Sequence, residues 1–237
     1  MPHQETLRAS RRVGRAQLLA VQLGLENRPL PAAYSVALES RALGAAIDGM
    51  QRDGPVDLVA WSYGAVVTLD FALDHPERVR TLALIEPPAF WVLDATGRLD
   101  EPSRRERDDL ERLHRDMIGG VTEAHLARFV RLAALGPPDT RPEDLPAWPL
   151  WVQHRRSLRN GPALFAHRDD AARLRGFARP VLLVKGTGSA HSLHRIIDVL
   201  GETLPRTEVV ELPGGHAPQI VAMDEFLARL AAFHAAR

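Results

Sequence analysis

Cysteine is absent from the 237 residues, which excludes disulfides, thiolate metal sites and thiol nucleophiles together. Long apolar runs are missing too. No stretch approaches the roughly 18 apolar residues of a membrane span, and no charged segment, apolar core and small-residue cleavage site opens the chain. The default expectation is a cytoplasmic protein with no membrane partner. The opening RASRRVGRAQLLAVQLG is Arg-rich with an apolar patch, but Arg and Ala are used heavily throughout, so it reads as composition rather than a transit peptide. There is no excess of either charge: 30 Lys plus Arg balance 30 Asp plus Glu. Nothing therefore steers the whole molecule toward nucleic acid or an anionic membrane. Internal repeats, low-complexity tracts and metal-ligand spacings are also lacking, so no metal and no cofactor is expected.

What is present is an ordinary globular composition, 45% hydrophobic and 25% charged, enough for one large domain or a domain with an insertion. Short apolar runs bounded by turn residues stand at VDLVAW (56–61), TLALIE (81–86), PVLLVKG (180–186) and TEVVEL (207–212). They are continuous rather than alternating, the pattern of strands covered on both faces of a parallel sheet. Helical spacing appears at 34–50, 193–204 and 223–233. Strand and helix alternate, which predicts an α/β fold with a mostly parallel sheet flanked by helices. Residues 89–176 break the alternation with charged and Pro/Trp-rich segments, predicting a helical insertion. The core is then 1–88 and 177–237, and the charge run at 101–112 is a solvated helix face.

One serine stands out. Ala60-Trp61-Ser62-Tyr63-Gly64-Ala65 follows an apolar strand and opens the apolar helix GAVVTLDFALDH, which Pro76 stops. A serine at a sharp strand-to-helix turn is lifted above the sheet, and the next backbone N–H points to where an oxyanion would form. Ala60 stands where the GxSxG pattern has its first Gly. On LVAWSYGAVVTLDFALDHPERVRTLALIEPP the chain resembles the α/β-hydrolase superfamily, of serine hydrolase type with a helical cap. The likeness runs from about Tyr34 to the C-terminus, and the helical insertion falls where that family carries its cap.

The resemblance implies a base and an acid for Ser62. His216, in the Gly-rich turn of VVELPGGHAPQI after the last strand, matches the family's general base. The commoner acid position, after PVLLVKG, reads Thr187-Gly188-Ser189-Ala190-His191 and holds no carboxylate, while Asp198 lies inside a helix. Glu86, at the end of LALIEPP, matches the alternative acid site. Tyr63 would lend its backbone N–H to the oxyanion hole. Trp61, Phe90, Trp91, Trp148 and Trp151 are candidate substrate-binding walls, although large aromatics also serve simply as packing.

Only 61 residues precede Ser62, and a βαβ unit takes roughly 30 or more, so the family's earlier strands do not fit beside the 34–50 helix. QLLAVQL (17–23) reads as a strand or a helix, and no HG-type oxyanion sequence appears in 1–33. The expectation is a truncated or frame-shifted start in residues 1–33 and an unpaired sheet edge, which leaves a homo-oligomer open. Two functions follow: a serine hydrolase of carboxylic esters or related acyl compounds acting on a small-molecule substrate, or a catalytically impaired relative serving as a binding module.

Overall fold

The computed structural model describes residues 2–9, 12–50 and 54–236. Three helices come first: α1 (Pro2–Arg8), α2 (Leu19–Leu25) and α3 (Val36–Gly49). QLLAVQL thus resolves as helix over most of its length. The reason is visible in α3, where the buried Glu39 carboxylate accepts from the backbone N–H groups of Leu19 and Ala20 and caps the start of α2. Ser35 caps α3 in turn, accepting from Leu38 N–H.

The core follows as β1 (Val56–Trp61), α4 (Tyr63–Asp74) and β2 (Val79–Ile85). Six helices come next: α5 (Phe90–Ala95), α6 (Glu101–Asp116), α7 (Glu123–Leu132), α8 (Trp148–His154), α9 (Gly161–Ala166) and α10 (Ala171–Gly176). The chain then returns through β3 (Val181–Gly186), α11 (His191–Thr203), β4 (Thr207–Leu212), α12 (Pro218–Val221) and α13 (Met223–Ala235). Among the described residues no strand lies between β2 and β3. β2 begins at Val79, two residues before its apolar run, because Val79 pairs with Val56 and the exposed Arg80 binds Asp57 across the ladder.

The four strands form one parallel sheet in the order β1-β2-β3-β4. Side chains alternate between faces along a strand. Leu82, Leu84, Val181 and Leu183 enter a core with α4, α5 and α11, whereas Ala83, Ile85, Leu182 and Val184 enter a second core with Phe226, Leu230 and Phe233 of α13. Two covered faces explain the unbroken apolar runs. β1 and β4 are the sheet's edges, and Val59 and Val209 are each more than 40% exposed. α4 is buried on nearly every side, Phe71 included. No described helix is long and apolar enough to cross a membrane.

Candidate active site

Ser62 lies between the last residue of β1 and the first of α4, with φ 56° and ψ −133°. A non-glycine residue rarely adopts a positive φ, and holding it costs about 1–3 kcal/mol. Its backbone is pinned on both sides: Ser62 N–H donates to the Ile85 carbonyl on β2 at 2.9 Å, and its own carbonyl accepts from Ala65 N–H at 2.8 Å. The turn lifts the hydroxyl to 2.7 Å from His216 Nε2.

His216 sits after β4, 4% exposed. Its Nδ1 is 3.4 Å from Glu86 Oε2, which is at the long end for a hydrogen bond. Glu86 is completely buried and also has a positive φ, 48°. Its N–H continues the ladder to the Val184 carbonyl, and its other oxygen, Oε1, accepts from Gly186 N–H at 2.7 Å. The end of β2 therefore presents a carboxylate to the spot usually served from the loop after β3, and Gly186 at the end of β3 supplies a backbone donor instead. Gly186 has no room for more: a Cβ there would stand 2.2 Å from the Gly215 carbonyl oxygen. That close approach brings the His216 turn against the ends of β2 and β3.

Two contacts outside the three-residue line hold His216. Trp61 Nε1–H donates to its carbonyl oxygen at 2.5 Å, and its own N–H donates to the Ala134 carbonyl at 3.1 Å. Ala134, just past α7, has φ 51°. Of the four non-glycine residues with positive φ among those described, Ser62, Glu86 and Ala134 all meet here. Nothing in the sequence pattern marks Ala134, since Ala has neither the bare Cα of Gly nor the local hydrogen bonds that let Asn or Asp enter the left-handed region.

Tyr63 N–H is the first of α4, one of the N–H groups that have no acceptor within the helix, and it opens beside Ser62. The Tyr63 side chain points elsewhere: its hydroxyl meets the Tyr34 hydroxyl, which is tied to Glu39, and burial pushes both phenols above their ordinary range. Phe90 and Trp91 are buried in the main core and line a cavity of about 130 Å³ with Asp94 and Arg107. Trp148 and Trp151, on α8, are half-buried and line neither that cavity nor the larger groove. The groove, about 730 Å³, runs along the free edge of β1, touching Trp61 and Gly64 but not Ser62, Glu86 or His216.

Chemically, a serine hydroxyl on an imidazole that is backed by a buried carboxylate is the arrangement that activates an oxygen nucleophile. Residues 4–229 match the alpha/beta hydrolase family. The chain belongs to that family. As an alpha/beta hydrolase it is 29% identical over 180 residues to a pimeloyl-[acyl-carrier protein] methyl ester esterase of Chromobacterium violaceum, covering 75% of this chain and 69% of that protein. It is 30% identical over 212 residues to a putative carbamate hydrolase, RutD, of Klebsiella pneumoniae, covering 84% and 72% respectively. Its fold superimposes on an esterase from Exiguobacterium antarcticum with a TM-score of 0.65 at 16% identity, over 85% of this chain and 74% of the other.

Proposed function

We propose that this alpha/beta hydrolase is a serine hydrolase of carboxylic esters or related acyl compounds, with Ser62 as nucleophile, His216 as general base and Glu86 as the orienting acid. The observation that carries the reading is the 2.7 Å approach of Ser62 Oγ to His216 Nε2. With Nδ1 protonated toward Glu86, Nε2 is the free acceptor. Ser62 Oγ attacks the substrate carbonyl carbon while Nε2 takes its proton, and the buried carboxylate stabilises the imidazolium. The oxyanion forms against the Tyr63 N–H. Collapse breaks the acyl–heteroatom bond, and His216 returns the proton to the leaving group. Water, deprotonated by the same nitrogen, then releases the acid and restores Ser62.

The relatives are named for a methyl ester and a carbamate. Both substrates place a carbonyl next to a heteroatom leaving group, which is the bond this mechanism breaks. The helices at 89–176 act as a cap over that centre, and the Ala134 contact with His216 supports this assignment.

Fluorophosphonate labelling of the purified chain with mass mapping tests the proposal, with Ser62→Ala and His216→Ala alongside. Adduct on Ser62 that depends on His216 is expected. A folded protein that takes no label at Ser62 overturns it and favours the second reading, a binding module of hydrolase fold. One observation speaks for that second reading: β1 is the edge of the sheet, so among the described residues no preceding parallel strand brings a loop with a second oxyanion donor. Losing one such donor typically costs about 100- to 1,000-fold in rate.

A further inference from the structure

Away from Ser62, the fold joins α4 to a segment nearly a hundred residues further along the chain. Asp70, in the middle of α4, meets His167 and Asp169 on the segment between α9 and α10. One donor atom from each lies within 4.8 Å of the other two.

His167 Nε2 stands 3.7 Å from Asp70 Oδ1. That is too long for a hydrogen bond. Ligands sharing a tetrahedral zinc ion, each at roughly 2.0–2.2 Å from it, are separated by roughly 3.3–3.6 Å. The pair, an ion pair when His167 is protonated, stands just beyond that spacing, with the third donor atom within 4.8 Å, so an ion would draw the three ligands together.

The surroundings are dry. The His167 and Asp70 side chains are 11% and 8% exposed, and although Ser40 hydrogen-bonds the Asp70 carboxylate, Asp70 Oδ2 has no hydrogen-bond partner. A buried carboxylate oxygen left bare calls for an ion, a water or a functional reason. Burial pushes the Asp70 carboxyl up and the His167 imidazole down, against the opposing pull of each group's charge on the other. Trp91 adds a second unmatched group: its indole Nε1 is buried without an acceptor, and its ring meets His167 edge-on with centroids 5.9 Å apart. Asp169 is held at the rim: Oδ1 accepts from Asp170 N–H at 2.7 Å and Oδ2 from Arg173 at 2.7 Å, Arg173 also binding Asp74, so an ion would take up an oxygen that already carries one hydrogen bond.

We propose that Asp70, His167 and Asp169 form a site for a divalent transition-metal ion, Zn²⁺ by ligand chemistry, that ties α4 to the segment between α9 and α10. One imidazole and two carboxylates with no thiolate suit zinc, whereas calcium and magnesium favour all-oxygen shells. Three protein ligands and a water complete a tetrahedron. The sequence shows no metal spacing because one ligand comes from α4 and the other two from the segment between α9 and α10, nearly a hundred residues further on.

The test is titration of Zn²⁺ into the full chain stripped with chelator, read by calorimetry and by the thermal midpoint, with His167→Gln, Asp70→Asn and, as a control among the exposed histidines, His191→Gln. The proposal expects one equivalent bound, a raised midpoint, at least a tenfold loss of affinity in the first two variants and none in the third. Asp70→Asn also removes the bare buried charge, so its metal-free midpoint should hold or rise while the zinc-dependent rise disappears, which separates loss of the site from misfolding. No stoichiometric binding, or equal binding by Asp70→Asn and the unaltered chain, overturns it.

Discussion

The indole Nε1–H of Trp61 donates to the main-chain oxygen of His216 at 2.5 Å, and the two rings lie with centroids 5.6 Å apart. The residue just before the proposed nucleophile thus holds the proposed base by its backbone, across 155 positions of sequence. Trp61 thereby acts as a positioning residue. Replacing it with Phe keeps an aromatic ring and removes the donor. A neutral hydrogen bond contributes about 1 kcal/mol net, so Trp61→Phe should lower kcat on a p-nitrophenyl ester about fivefold. KM should stay nearly unchanged. A shift confined to KM would instead mark Trp61 as a substrate wall.

Glu86 accepts from two donors, Gly186 N–H through Oε1 and His216 through Oε2. Glu86→Gln offers only one acceptor oxygen and must turn its amide nitrogen toward a donor. In serine triads, an acid-to-amide change that leaves the wrong histidine tautomer costs about 10⁴-fold in kcat. A loss on the order of 10³- to 10⁴-fold is expected here, with the fold retained by circular dichroism. Activity within tenfold of the unaltered chain would remove Glu86 from the proposed triad.

Gly186→Ala should be more damaging than its size suggests. The added carbon would fall 2.2 Å and 2.5 Å from the carbonyl oxygens of Gly215 and Gly214. Backbone on both sides cannot rotate away, so the His216 turn must retreat from Glu86. Overpacking of this kind costs about 1–3 kcal/mol. Urea unfolding should show that loss, and fluorophosphonate labelling of Ser62 should slow in parallel.

His114 gives a pH signature unrelated to the site. It is buried between Phe129 and Phe165, Nδ1 faces the Leu158 carbonyl at 3.1 Å, and burial lowers its pKa from 6.5 to about 4. Because the folded value lies below the unfolded one, the unfolded chain takes up the proton first as pH falls. This contribution is fully present above about pH 6.5 and is lost progressively down to about pH 4, on the order of 3 kcal/mol in all. Urea midpoints at pH 7.5 and 5 should differ accordingly, and His114→Asn, which cannot titrate, should flatten the difference. An unchanged slope in that variant would assign the pH dependence elsewhere.

All four strands were legible as apolar runs, and β1 and β4 matched their runs residue for residue. Burial on both faces leaves that trace in β2 and β3, while the edge strands β1 and β4 keep it despite exposed Val59 and Val209. Ser62 and His216 were legible because an elbow and a glycine-rich turn have local spelling. Glu86 was legible only through resemblance, since a lone acid before two prolines carries no local signal. QLLAVQL stayed ambiguous because Glu39, which caps it, belongs to another helix. Ala134 and the Asp70–His167 pair left no trace: their meaning comes from residues distant in the chain, and a period of two or 3.6 cannot record it.

The order in which the chain leaves the ribosome adds a further consequence. Ser62 is made early, but its hydroxyl finds His216 only across 154 positions, and His216 finds Glu86 across 130. Nascent chains ending anywhere before β4 hold an elbow without a base. Fluorophosphonate reactivity should therefore switch on abruptly during synthesis, once the turn carrying His216 has emerged, so the label would time the docking of that turn as well as its chemistry.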